Sequence, residues 1–115
     1  VRFVQAEVLS IDPDNRRAVD WGRRRRALAA LRNGAAPDAS TTKLHVIRTA
    51  LRIRAEHAAA FDGAYEPVSL GADVCGYVRG GEVLVGAAIR PGVAIDLPAG
   101  WRDILGVPGL VLAVR

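Results

Sequence analysis

The chain has 115 residues, half of them hydrophobic, and a net charge of +4. That size suits one domain or part of a larger protein, and that apolar content excludes intrinsic disorder. Apolar runs stop well short of the roughly 18–20 residues a membrane helix needs. A single cysteine, Cys75, excludes an internal disulfide and carries no metal-site pattern.

The positive charge is almost all arginine, 15 Arg against Lys43 alone, and seven of the arginines fall between Arg16 and Arg32. A basic nucleic-acid-binding surface is one reading of that density. Geometry argues against it. Arg23–Arg26 are consecutive on a predicted helix, and at about 100° per residue they fan round it instead of lining one side. Helix-turn-helix, zinc-finger and RNA-binding-strand patterns are missing from the sequence as well, so no nucleic-acid partner is expected.

In chain order, Val1–Leu9 reads as a short strand with Phe3, Val4 and Val8 as its apolar members. The first residues show no apolar core of a signal peptide, and a cytoplasmic protein is expected. Asp12-Pro13-Asp14-Asn15-Arg16-Arg17 is the densest polar stretch of the chain. Proline pushes Asp12 towards an extended backbone, and Asp14 and Asn15 favour a turn. Arg16 and Arg17 add planar donor forks suited to hydroxyls and carboxylates. A turn whose arginines pair with its own aspartates accounts for the same residues.

Asp20 is a suitable N-cap for a first helix with apolar positions Trp21, Ala27, Leu28 and Leu31, ended by Asn33-Gly34. After a small-residue linker, Ser40 or Thr41 caps a second helix running to about Phe61. Leu44, Ile47, Leu51, Ala55 and Ala58 line one side of it, and Val46, Ala50 and Ile53 widen the apolar arc to roughly 200°. Such a helix calls for partners on two sides. Arg52 and Glu56 stand at ion-pairing spacing. His45 reads as a solvated helix residue and His57 as a boundary one, neither having a nucleophile or metal ligand at useful spacing.

From Tyr65 the apolar period becomes two. Glu66–Leu70, Asp73–Arg79, Glu82–Arg90, Val93–Leu97, Trp101–Leu105 and Leu110–Arg115 are predicted strands, with Gly80-Gly81 as a hairpin turn. Glu82–Ile89 is almost continuously apolar and is expected to be covered on both faces. Trp101 is expected in the core. The prediction is an α+β chain: two helices in residues 1–61, then a small antiparallel sheet or sandwich in residues 62–115.

Ile11–Trp21, I-D-P-D-N-R-R-A-V-D-W, resembles the D-P-D-N-R-R-P-V-D-(aromatic) signature of maltooligosyltrehalose synthases, α-amylase-like enzymes of trehalose biosynthesis. The resemblance continues through Lys43-Leu44-His45-Val46, Ala50-Leu51-Arg52-Ile53-Arg54, Phe61 and Gly63-Ala64-Tyr65-Glu66-Pro67. It closes with Leu97–Gly106, L-P-A-G-W-R-D-I-L-G, similar to the family's L-P-x-G-x-W-x-D-x-L-x-G. Ala18 stands where the family has proline.

The resemblance implies the C-terminal part of such an enzyme, in which residues 1–61 end a (β/α)8 barrel. The family isomerises the reducing-end α-1,4 link of a maltooligosaccharide to an α,α-1,1 link by intramolecular transglycosylation. Its nucleophile and proton donor lie upstream of the equivalent of this chain, so no catalytic residue and no metal or other cofactor is expected here. By the resemblance, Asp12, Asn15, Arg16 and Arg17 border the active site after the eighth strand and bind substrate there. The expected partners are the maltooligosaccharide, the upstream barrel and, through exposed apolar surface, a second copy. The rival readings are a non-catalytic carbohydrate-associated β module, with Trp21, Trp101, Tyr65 and Tyr77 as its only aromatic platforms, and a vestigial protein.

Overall fold

The computed structural model describes residues 18–115. The predicted strand at Val1–Leu9 and the turn at Asp12–Arg17 lie outside the described residues. The chain divides into two compact units, Val1–Gly34 and Ala35–Arg115.

In the first unit, helix α1 spans Trp21–Arg32. Asp20 caps it, its carboxylate accepting from the Arg23 amide at 2.9 Å and so satisfying one of the free N–H groups of the first turn. Arg23–Arg26 are all exposed, and the Arg24 guanidinium lies 5.8 Å from the Trp21 ring centre, within cation–π range. Leu31 is the buried residue of this helix.

In the second unit, helix α2 spans Thr42–Glu56, a short helix α3 spans Ala58–Phe61, and a five-stranded sheet follows. The strands are β1 (Tyr65–Pro67), β2 (Val74–Arg79), β3 (Val83–Ala88), β4 (Arg102–Asp103) and β5 (Leu110–Val114), in the order β1-β2-β3-β5-β4. Every pairing is antiparallel. The predicted α+β class therefore holds, and of the sheet or sandwich expected, the described residues form a single sheet.

Each face of this sheet has its own core, because successive strand residues point to opposite sides. Val83, Leu112 and Val114 meet Ile53 of α2 and Ala60 of α3 on one side. Val78, Leu84, Val111 and Ala113 face Leu70 on the other, with Ile95, Leu97 and Trp101 packed around it. β3 is covered on both faces from Val83 to Gly86, as its apolar run implied; Ile89 beyond it is 68% exposed.

Leu70 is completely buried and plugs into a notch in the sheet. The floor of the notch is the opposed pair Gly76 and Gly86, and a methyl on either would come within 2.6 or 2.7 Å of the Leu70 Cδ1. Only glycine leaves the room that Leu70 occupies.

The second helix differs from expectation in two ways. It breaks at His57 (φ −119°, ψ 40°) before restarting as α3. The restart seats Ala60 on the β2–β3 turn so closely that a Cβ on Gly80 would lie 2.6 Å from the Ala60 Cα. The cap is the second difference: the Thr41 side chain makes no capping bond to α2. Instead Asp38 gathers the entry, accepting from the Ser40 amide and hydroxyl and from the Thr41 amide and hydroxyl.

Gly80 (φ 56°) and Gly81 (φ 70°) form the predicted hairpin turn, closed by the Glu82 amide on the Arg79 carbonyl at 3.1 Å. Both positions use the left-handed region that glycine enters freely. Val93–Leu97, predicted as a strand, joins no ladder. Its residues still alternate between half-buried and exposed, because the segment lies across the sheet and drops Ile95 and Leu97 onto Leu70. The Asp96 amide donates to the Leu70 carbonyl at 2.8 Å.

Candidate functional site

Asp12, Asn15, Arg16 and Arg17, the sequence-predicted substrate-binding residues, lie outside the described residues. The end of the signature is described. There the Asp20 carboxylate is taken up as the cap of α1, and Trp21 is 60% exposed beside Arg24.

The other segments that carry the resemblance meet in the second unit and tie it together. The His45 imidazole places Nε2 2.9 Å from the Leu105 carbonyl, so this nitrogen carries the proton and donates. Here the sequence reading of a solvated histidine is corrected: the ring is partly buried and binds a carbonyl 60 residues away. Asp103 holds the receiving loop in shape. Its carboxylate accepts from the backbone amides of Leu105 (3.1 Å), Gly106 (3.2 Å) and Leu112 (3.3 Å). The Lys43–Val46 and Trp101–Gly106 segments are thus the two halves of one helix-to-sheet clasp.

A second clasp sits at the other end of α2. Arg79 donates to the Phe61 carbonyl and lies 5.7 Å from the Phe61 ring centre. The Gly80 amide donates to the Ala64 carbonyl at 2.8 Å. His57 Nδ1 stands 3.3 Å from a Glu82 carboxylate oxygen, so its boundary position brings it to the hairpin. Tyr65 and Tyr77 stack across β1 and β2 with centroids 4.9 Å apart, and Tyr65 is 57% exposed. Trp101, expected in the core, is half-buried against the Leu70 cluster, with the Arg115 guanidinium 4.3 Å from its ring centre.

An open cavity of about 400 Å³ lies between Gly92–Ile95 and Val107–Val111. Its one charged lining residue is Asp103, whose oxygens already serve three backbone amides. Among the described residues no group of three or more His, Cys, Asp or Glu side chains is placed to hold a metal ion. No described helix is long and apolar enough to cross a membrane. Among the described residues, Asp38 is held below the usual carboxylate range first by its bond from the Ser40 hydroxyl and then by the Ser40 amide and the Thr41 groups. The described residues build clasps and a core.

The chain is 41% identical over 104 residues to a Mycobacterium tuberculosis protein described as "Putative maltooligosyl trehalose synthase", in strains CDC 1551 / Oshkosh and ATCC 25618 / H37Rv alike. The chain resembles a segment of maltooligosyl trehalose synthases. The match takes in 85% of this chain and 12% of the synthase's length. No family model matches the chain, and no solved structure matches it. The likeness to the synthase agrees with the family read from the signature.

Proposed function

We propose that the chain is the C-terminal part of a maltooligosyl trehalose synthase. The identity of 41% over 85% of the chain carries this reading. The whole enzyme, an α-amylase-like barrel in the cytoplasm, converts the reducing-end α-1,4 link of a maltooligosaccharide to an α,α-1,1 link without a cofactor. In this reading residues 1–61 end the barrel and residues 62–115 form the appended β domain, the two sharing the core around Ile53. The catalytic carboxylates belong to the upstream polypeptide, and the 115 residues alone are inert.

Within that enzyme, Asp12, Asn15, Arg16 and Arg17 form the rim that grips the released glucose. The glucose must stay in place and turn, so that its anomeric hydroxyl attacks the glycosyl-enzyme before water does. Arginine forks and carboxylates supply the directional bonds that hold a sugar in one orientation. Replacing Arg16 and Arg17 together by alanine in the full-length enzyme is expected to lower the ratio of isomerisation to hydrolysis by about tenfold or more, on the scale of one or two lost charge-assisted bonds. An unchanged ratio rejects the assignment.

A second reading, a carbohydrate-associated β module, has the exposed Tyr65 ring, stacked on half-buried Tyr77, in its favour. Maltooligosaccharide titration of the 115-residue chain, followed by intrinsic fluorescence, separates the two. Saturable binding lost on Tyr65→Ala favours the module.

A further inference from the structure

We propose that Asn33-Gly34, at the C-terminal end of α1, is a site of spontaneous covalent modification, at which the asparagine carboxamide closes on the backbone and ends as aspartate and isoaspartate. The Gly34 nitrogen attacks Asn33 Cγ, and the new C–N bond closes a five-membered succinimide. The C–NH2 bond breaks, and the former amide proton of Gly34 leaves with ammonia. Water then opens the ring at either carbonyl. Opening at one gives an ordinary aspartate; opening at the other leaves the backbone running through the side-chain carbonyl, one carbon longer. Nothing is oxidised or reduced, and water is the only co-reactant.

Glycine after asparagine favours this closure, because no Cβ shields the attacking nitrogen. The surroundings decide whether a folded chain permits it. Asn33 is exposed and is the C-cap of α1 (φ −88°, ψ 11°). Gly34 has φ +93°, and a Cβ built on it would meet nothing within 4 Å. The attacking amide donates to the Leu31 carbonyl at 3.1 Å. That bond belongs to the last turn of a helix, the part that opens at least cost. Ring closure turns the Asn33–Gly34 peptide plane out of the helix, and no neighbour stands beside Gly34 to resist it.

Asp62-Gly63, at the end of α3, has the opposite setting. The Gly63 amide donates to the Ala60 carbonyl, also at 3.1 Å. Here, however, a Cβ would lie 3.1 Å from the Gly80 Cα and 3.3 Å from the Ala60 carbonyl oxygen. The next carbonyl, that of Ala64, is held by the Gly80 amide at 2.8 Å. Turning this peptide plane pulls against the seat of α3 on the hairpin, whereas turning the one at Asn33 frays a helix end.

The product acts on α1. Its carboxylate sits at the negative end of the helix dipole, beside carbonyls that lack intrahelical partners, so the last turn loosens. Gly34 also closes the first compact unit, which puts the longer isoaspartyl backbone at the boundary in sequence between the two units.

The test uses the 115-residue chain carrying Asp62→Asn, a change at an exposed side chain that places two Asn-Gly pairs in one folded molecule. It is incubated at mildly alkaline pH and digested with trypsin, which cuts after Arg32, Lys43, Arg54 and Arg79. The peptides Asn33–Lys43 and Ala55–Arg79 then report the two pairs separately by mass spectrometry. Replacement of NH2 by OH, counted above the unincubated sample, should accumulate at Asn33 about tenfold or more faster than at position 62, and in urea the two rates should converge. Equal rates in the folded chain, or a faster rate at position 62, would overturn the structural argument. A gain at Asn33 in urea but not in the folded chain would overturn the site itself. Asn33→Gln, which needs a six-membered ring, should remove the gain from its peptide, and a gain that persists also overturns the assignment. Asn33→Asp should speed hydrogen exchange of the last-turn amides of α1 by about two- to fivefold. Unchanged exchange would overturn the effect on the helix.

Discussion

The notch between Leu70 and the paired glycines gives the sharpest test of this core. Leu70→Ala removes a fully buried side chain and is expected to cost about 2–5 kcal/mol. Gly76→Ala drives a methyl to 2.6 Å from Leu70 Cδ1 and 2.9 Å from its Cγ, at a backbone position without positive φ. Overpacking of that kind costs about 1–3 kcal/mol, offset by up to about 1 kcal/mol from the lower entropy of the unfolded alanine chain. Separately, each change lowers the melting temperature, at about 4–8 °C per kcal/mol for a domain of this size.

Together they should not add. Leu70→Ala removes the two atoms that the new methyl strikes, and the next atom it meets is the Val68 carbonyl oxygen at 3.2 Å. In the Leu70→Ala background Gly76→Ala should therefore be close to neutral, a coupling of about 1–2 kcal/mol in the direction of rescue. Urea melts followed by circular dichroism, with all four members of the cycle at one pH, measure it directly. Additivity within about 0.5 kcal/mol would mean that Leu70 does not sit in the notch.

At the entry to α2, the Asp38 carboxylate is held below its ordinary range by the Ser40 and Thr41 bonds. Its folded value is the lower one, so its stabilisation is present above the unfolded value of about 3.9 and disappears as pH falls through the folded value. Asp38→Ala should therefore lower the melting temperature at pH 7 and have no effect at the acid end of a titration. Asp103→Ala should cost about 1.5–3 kcal/mol by leaving the amides of Leu105, Gly106 and Leu112 without their acceptor, and His45→Ala about 1–3 kcal/mol by stranding the Leu105 carbonyl. Because both act on one loop, their double-mutant cycle should fall short of the sum in the same urea assay. Gly80→Ala should cost about 1–3 kcal/mol from the 2.6 Å approach to Ala60, whereas Gly81→Asn, with open space around it and a residue tolerant of φ 70°, should stay within about 0.5 kcal/mol.

What could be read from sequence was what neighbours in the chain decide. The Asp20 cap, the Gly80-Gly81 turn and the period-two strands each depend on residues a few positions apart. The inner side of α2 was not legible, because the helix is apolar on both sides and only the sheet selects Val46 and Ile53 over Ile47 and Leu51. Val93–Leu97 misled for a related reason: alternation records which side chains are buried, and a segment crossing a sheet face satisfies it without pairing. His45 looked solvated because its partner, the Leu105 carbonyl, is distant in sequence and is a backbone group that no side-chain pattern announces. The signature turn works the opposite way. Its four candidate residues are conspicuous in the sequence, and their proposed task is set by a barrel wall that other residues of the polypeptide would build.

Ile53 and Ala60 close the sheet face that carries Val83, Leu112 and Val114. Anyone cutting this polypeptide into pieces, whether in an expression vector or by recombination between genes, therefore meets a hidden seam. A piece begun at residue 62 would inherit every strand and lose its roof, leaving a bare valine and leucine surface to find another strand or another copy. A piece begun near Ala35 keeps the roof, the Asp38 entry and both clasps. The piece that keeps its own core covered is α2 and α3 together with the sheet.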